Sequence, residues 1–344
     1  SARTAILTVS SGQVQVADHP QATWVEVEAE TKLHSGQLIR TLSNASTTLK
    51  FFDGTQVVLE PNTELILNEI SGSWGNVLRV KLTQPYGFTS HTVVPFGGKK
   101  SSYIVRTPAG SAHVRGTAFG VAVDPRGKAY FVVESGQVLV QNRRSDALLG
   151  AGLSTVVLPD QAPRSPAFTF TLNDILTTAE GGTWKVESMP LLITEDAFLA
   201  EGLRPGILVS VTGRILQDGR WVVDIVRPAK DSSRKFVFSG VVEEMGGQIW
   251  RIGGVTLQID LATRLSAEIQ VGDVVEVRYA VLGSGLWRAL AITSIGEMVL
   301  PQGTSTLAPS PPGGLATEEP TSPLVSPIVD CTGAEPQPEA VNLA

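Results

Sequence analysis

His19, His34, His91 and His113 are the four histidines of the chain, and a zinc site would need three or four ligands converging at close spacing. None stands in an HxH or HExxH arrangement, so each reads as an exposed or internally satisfied side chain and no metal is expected. Asp53, Asp124, Glu134 and Glu195 could in principle pair across a fold as acid and base. Asp53 precedes Gly54 and Asp124 precedes Pro125, where carboxylates belong to turns, and nothing local joins the two glutamates. The rings of Trp24, Trp74, Trp184, Trp221, Trp250 and Trp287 could stack on the faces of sugars, yet the last four recur at a fixed spacing inside strands, which favours core packing. GxSxG, P-loop and dinucleotide fingerprints are absent from the sequence. No catalytic residue and no cofactor is expected.

The spacing behind that tryptophan argument is an ungapped internal repeat. Trp184, Gly206, Val209, Val211, Gly219 and Trp221 recur exactly 66 residues later as Trp250, Gly272, Val275, Val277, Gly285 and Trp287. A fixed period marks two copies of one folding unit. Packing Trp, turn Gly and alternating Val suit a small β-barrel. The copies are expected at 168–230 and 234–298, each with about five strands and a weakly apolar insert such as Glu195–Leu203 where a helical turn or loop could sit. Trp184 and Trp250 are expected at equivalent, mostly buried positions.

Upstream, from Ala5 to about Leu158, short runs alternate apolar and polar residues and are separated by Gly, Asn, Asp or Pro. Such a pattern indicates a β-sandwich, jelly roll or solenoid. Asp53-Gly54, between two such runs, predicts a tight hairpin. Charged residues are 17% of the 344, and the net charge is −6. That balance offers phosphate no general attraction, and no basic stripe is interleaved with aromatics, so nucleic acid is not an expected partner.

Gly36 to Thr41 (GQLIRT), Leu49 to Gly54 (LKFFDG), Val105 to Gly110 (VRTPAG), Val114 to Phe119 (VRGTAF) and Val133 to Val138 (VESGQV) together make the stretch 6–158 resemble the FecR domain. The resemblance implies an all-β domain without catalytic residues; in the best-known members an anti-sigma segment and a transmembrane helix precede it. Within its motif Arg115, Gly116 and Thr117 are the distinctive residues. Arg115 is expected to be a buried clamp on backbone carbonyls or a carboxylate. The second copy of the repeat similarly resembles small OB-like barrels of secreted bacterial proteins of unknown function, through Val271 to Val277 (VGDVVEV) with Asp260 and Thr263 ahead of it. The first copy departs from that pattern, with Pro205-Gly206-Ile207 in place of a Gly-Asp turn.

The expected architecture is therefore all-β: a FecR-like domain at 1–158, a Pro-rich linker at 159–167, the two OB-like barrels, and an extended acidic tail at 299–344. The tail holds nine Pro, no aromatic residue and no Lys or Arg. Alone it cannot bury enough apolar surface to offset its ordering entropy. No apolar run reaches the roughly 20 residues of a membrane-spanning helix. Ser1 followed by Ala-Arg-Thr suits a mature N-terminus left by a signal peptidase, so an exported protein is expected.

These readings predict a non-enzymatic, secreted surface protein that self-assembles into a filament or sheath. Leu324, Val325, Ile328 and Val329 would add a strand to a neighbouring copy, and Cys331 is a candidate for an intermolecular disulfide. The alternatives are a periplasmic signal-receiving module of a FecR-type regulator and a module binding cell-wall glycan.

Overall fold

A computed structural model of the chain describes residues 3–73, 77–97, 101–178, 183–189, 191–230, 232–266 and 268–296, and all regular structure among them is β-strand. The tail, with Leu324, Val325, Ile328, Val329 and Cys331, lies outside the described residues.

Strands β1 (Ala5–Ser11) to β16 (Leu153–Val157) form the N-terminal domain, in which two sheets enclose one apolar core. Alternation does the sorting. In β6 (Ser46–Phe51) Thr47, Leu49 and Phe51 point inward, and in β7 (Gln56–Leu59) Val57 and Leu59 do the same. The hairpin between them is looser than Asp53-Gly54 predicts. Its loop is Phe52 to Gly54, closed by Phe51 N–H donating to the Thr55 carbonyl at 2.8 Å, and Gly54 alone has a positive φ, 94°. Asp53 stabilises it by accepting from Thr55 N (3.1 Å) and Thr55 Oγ1 (2.8 Å).

The long β9 (Val77–Thr92) belongs to both sheets. Its first half lies between β8 (Thr63–Ser73) and, in parallel, β10 (Ser102–Arg106); its second half lies between β7 and β12 (Ala118–Val123). The switch occurs at Gly87, where φ is 94° and an added Cβ would stand 2.4 Å from Thr63 Cα. Only glycine lets the strand cross there.

The repeat is visible strand for strand. β17 (Ala167–Thr178), β18 (Trp184–Val186), β19 (Leu192–Ile193), β20 (Phe198–Leu199), β21 (Leu208–Ile215) and β22 (Trp221–Pro228) have counterparts in β23 (Lys235–Gly246), β24 (Ile249–Ile252), β25 (Val255–Gln258), β26 (Arg264–Leu265), β27 (Val274–Val281) and β28 (Trp287–Gly296). Each copy thus has a sixth, short strand. It occupies the insert read as a helical turn or loop, and it pairs in parallel with the last strand: Phe198↔Ile225 in the first copy, Arg264↔Ala291 in the second. Even the bulge repeats, between Thr212 and Gly213 and again between Arg278 and Tyr279.

The copies differ in closure. In the second, β23, β24, β25, β28 and β27 pair in a complete ring, sealed by Leu257↔Trp287. Among the described residues no ladder joins β19 to β22, so the first ring stays open. The sequence departure at Pro205-Gly206 does not alter the turn. Gly206 and Gly272 have φ of 88° and 99°, and each N–H donates at 2.8 Å to the equivalent carbonyl, Leu176 or Val242. The two copies do not keep separate cores: one apolar cluster runs through both.

One sheet continues from β16 through β17 (Ser154↔Ala167) into the repeats, joining the N-terminal domain to them. Gly152 marks how tightly they meet. A Cβ there would lie 2.8 Å from Ser239 Cβ and Ile295 Cδ1 of the second copy.

Candidate functional site

Where that continuous sheet passes between domains, two of its faces line one cleft of about 530 Å3. On the N-terminal side the outward rows of the β9, β12, β13 (Ala129–Ser135) and β16 ladder are Ser90, Gly120, Val132 and Ser154, then Phe88, Ala122, Tyr130 and Val156. Across from them stand Thr171 of β17, Thr212 of β21, Val237 of β23 and Arg278 of β27, which also form one row. Period-two alternation accounts for both walls: these are the positions that the strands turn away from their own cores.

Three ion pairs stand at the cleft, two of them sharing Glu60. Glu60, just after β7 and 4% exposed, accepts from Arg227 Nη1 and, at 2.8 Å, from Lys230 Nζ. Arg227 also lies 5.3 Å over the Phe88 ring, which stacks on Phe198 at 4.8 Å with the planes 4° apart. Deeper in, Arg214 grips Asp224 through Nε at 2.6 Å and Nη2 at 2.9 Å. Asp224 is the extra residue of the β22 bulge, a device that re-aims a side chain out of its row. The facing Gly213 must be glycine, since a Cβ there would meet Val222 O at 2.1 Å.

Two hydroxyls in these walls have no hydrogen-bond partner: Tyr130 Oη and Ser154 Oγ, on residues 6% and 8% exposed. Burial, and then the carboxylates of Asp224 and Asp124, push the Tyr130 phenol well above its ordinary pKa, so it is a neutral donor. Lys128 sits 5.1 Å over its ring and donates to the Asp196 carbonyl. Burial holds the Lys128 ammonium below its usual range.

A second polar network is sealed inside the N-terminal core. Gln84 Nε2 donates to the carbonyls of Gly87 (2.9 Å) and Val121 (3.2 Å), so its Oε1 accepts the Thr89 hydroxyl at 2.6 Å. Thr89 Oγ1 then accepts from His91 Nε2 (2.7 Å), which leaves His91 Nδ1 to accept from Tyr103 O–H at 2.8 Å. Every member is satisfied with a neutral imidazole. Burial lowers the His91 pKa to about 3.

The residues singled out in the sequence do not converge. Arg115 is exposed, which overturns the clamp expectation. Val114 ends β11 (Ser111–Val114) pointing inward, so the alternation puts Arg115 outside, and Gly116 turns the chain with φ 102° against Pro95. Thr117 is buried and donates to the Gln137 carbonyl at 2.9 Å. Trp184 and Trp250 occupy equivalent strands and pack on one cluster, Trp250 buried and Trp184 half-buried. Trp221 and Trp287 join the same cluster, Trp24 lies under Arg40 at 4.2 Å, and Trp74 is outside the described residues. His19 and His34 are exposed, Asp124 caps a turn, and Glu134 and Glu195 face solvent. Among the described residues no three His, Cys, Asp or Glu are grouped as metal ligands, and no helix is long and apolar enough to cross a membrane. The residues that sequence reasoning missed are those of the cleft, Glu60, Tyr130, Ser154, Asp224 and Arg227, with Arg214 behind Asp224.

Residues 37–139 match the family model described as FecR protein, and residues 239–293, within the second copy of the repeat, match a domain of unknown function, DUF5666. No curated protein matches the chain. Two crystal structures of a candidate anti-sigma factor from Parabacteroides distasonis are similar at 14% identity and a TM-score of 0.33; one covers 56% of this chain and 99% of its own, the other 55% and 98%. The chain carries a FecR domain, followed by a repeated all-β unit whose second copy is a DUF5666 domain.

Proposed function

We propose that this chain is a non-enzymatic, FecR-type regulatory module of the cell envelope, receiving a signal rather than transforming a substrate. The observation that carries the reading is the FecR match over residues 37–139. It is supported by where the ionisable groups go: Glu60 is consumed in bracing the FecR domain against Arg227 and Lys230 of the first repeat, Arg214 and Asp224 pair with each other inside that repeat, and His91 belongs to a closed network. A hydrolytic or transfer site needs a nucleophile beside a base, and none of these groups is left over for that. The segment through which the filament reading would assemble, residues 324–331, lies outside the described residues, and the FecR match favours the regulatory reading.

Deleting the coding region in the host and comparing transcripts tests the proposal. A regulator's loss changes one defined set of genes several-fold, and the full chain restores it. An unchanged transcript profile, with surface fibres disappearing from negative-stain images, would overturn it in favour of assembly.

A further inference from the structure

We infer that the cleft between the FecR domain and the repeats is a binding site for a small, uncharged, polyhydroxylated molecule of mono- or disaccharide size, held by the hydroxyls of Tyr130 and Ser154. The volume, about 530 Å3, is in the range of small-molecule sites. The chemistry follows from which groups already have partners. Arg214 is matched bidentately by Asp224, and Glu60 by Arg227 and Lys230, so an ionic ligand would have to break a formed pair to gain one. Lys235 stands at the exposed rim, where solvent screens it.

Apart from Lys235 and Glu134, both exposed to solvent, what is left without a partner is neutral. Tyr130 Oη and Ser154 Oγ are more than nine-tenths buried, unpaired, and in the walls of the same cleft. A hydroxyl can donate one hydrogen bond and accept two, which is the complement of another hydroxyl or of an acetamido group. Thr171 and Thr212 add further hydroxyls on the opposite wall, while Val132 and Val237 between them offer apolar surface for the C–H faces of a sugar ring. The site goes beyond the regulatory reading and does not depend on it.

The test is saturation-transfer NMR on the full chain with three neutral probes, maltose, cellobiose and N,N′-diacetylchitobiose, followed by amide shift mapping. At least one probe is expected to receive transfer and to shift the amides of Ser154 and Thr171. Tyr130→Phe and Ser154→Ala should each weaken binding about ten-fold without lowering the melting temperature, because neither strands a partner. No transfer to any of the three probes overturns the inference. So does transfer that persists undiminished when Tyr130→Phe and Ser154→Ala are combined, or shifts confined to another surface such as that around Trp24 and Arg40. Each of these three results leaves the transcript experiment standing, so the two readings fail separately.

Discussion

Thr171 of β17 pairs across an antiparallel ladder with Val237 of β23, the residue 66 positions after it in the repeat. On either side Phe170 faces Phe238, the counterpart of Leu172, and Leu172 faces Phe236, the counterpart of Phe170. The two copies are therefore related by a local two-fold axis through this pair, the arrangement of an isologous dimer built into one chain. Trp221 and Trp287, also counterparts, meet near the same axis with ring centroids 5.4 Å apart and planes at 89°.

A shared axis means a shared core, and unfolding should be shared as well. Phe238, 1% exposed, touches Trp221 of the first copy as well as Tyr279 and Trp287 of its own barrel. Phe238→Ala is expected to cost roughly 3–5 kcal/mol. In chemical denaturation followed by Trp fluorescence, both copies should lose structure in one transition. Two separated transitions would mean that the barrels are independent.

Trp184 and Trp250 occupy the same position in differently closed rings. The pairing of β25 with β28 completes the barrel beside Trp250, and no described ladder does so beside Trp184. Trp250→Ala should accordingly cost roughly 3–5 kcal/mol and Trp184→Ala distinctly less. Equal losses in urea titrations would contradict the difference in closure.

His91 gives the FecR domain a predictable response to acid. Its pKa falls from 6.5 in the unfolded chain to about 3 in the folded one, so between these values the unfolded state binds the extra proton. Stability contributed by the neutral ring is complete above about pH 6.5 and is lost as pH falls, with a limiting slope of about 1.4 kcal/mol per pH unit. His91→Gln, which can still donate and accept, should flatten this slope between pH 6.5 and 4 relative to wild type. Parallel stability curves for the two proteins would exclude His91 as the cause.

How far the sequence foretells this molecule depends on how local each feature is. Strand alternation and Gly turns are local, which is why an offset of 66 read from Trp184, Gly206 and Trp221 recurs in ladders, bulges and turns. For Arg115 the motif neighbours Gly116 and Thr117 suggest a crowded site, but the alternation that puts Val114 inward puts Arg115 outside. The cleft was invisible for another reason: Ser154 and Tyr130 face Thr171 and Thr212 only through the crossing from β16 to β17, and no spacing along the chain encodes that approach. One signal was nevertheless present. Arg214 and Asp224 stand where the second copy has Ala280 and Leu290, and two opposite charges replacing two apolar residues in one copy alone point to a pair.

That substitution pattern supplies the last prediction. Side chains of Arg214 and Asp224 are 5% and 11% exposed, so removing one charge strands the other in a site that cannot solvate it. Arg214→Ala should therefore cost roughly 3–5 kcal/mol. The second copy holds the same backbone bulge with an apolar pair, so Arg214→Ala combined with Asp224→Leu should recover most of the loss. A double-mutant cycle in guanidinium measures the coupling directly. If the two losses simply add, the ion pair is not an autonomous replacement for Ala280 and Leu290, and the charges are instead required by the FecR domain packed beside them.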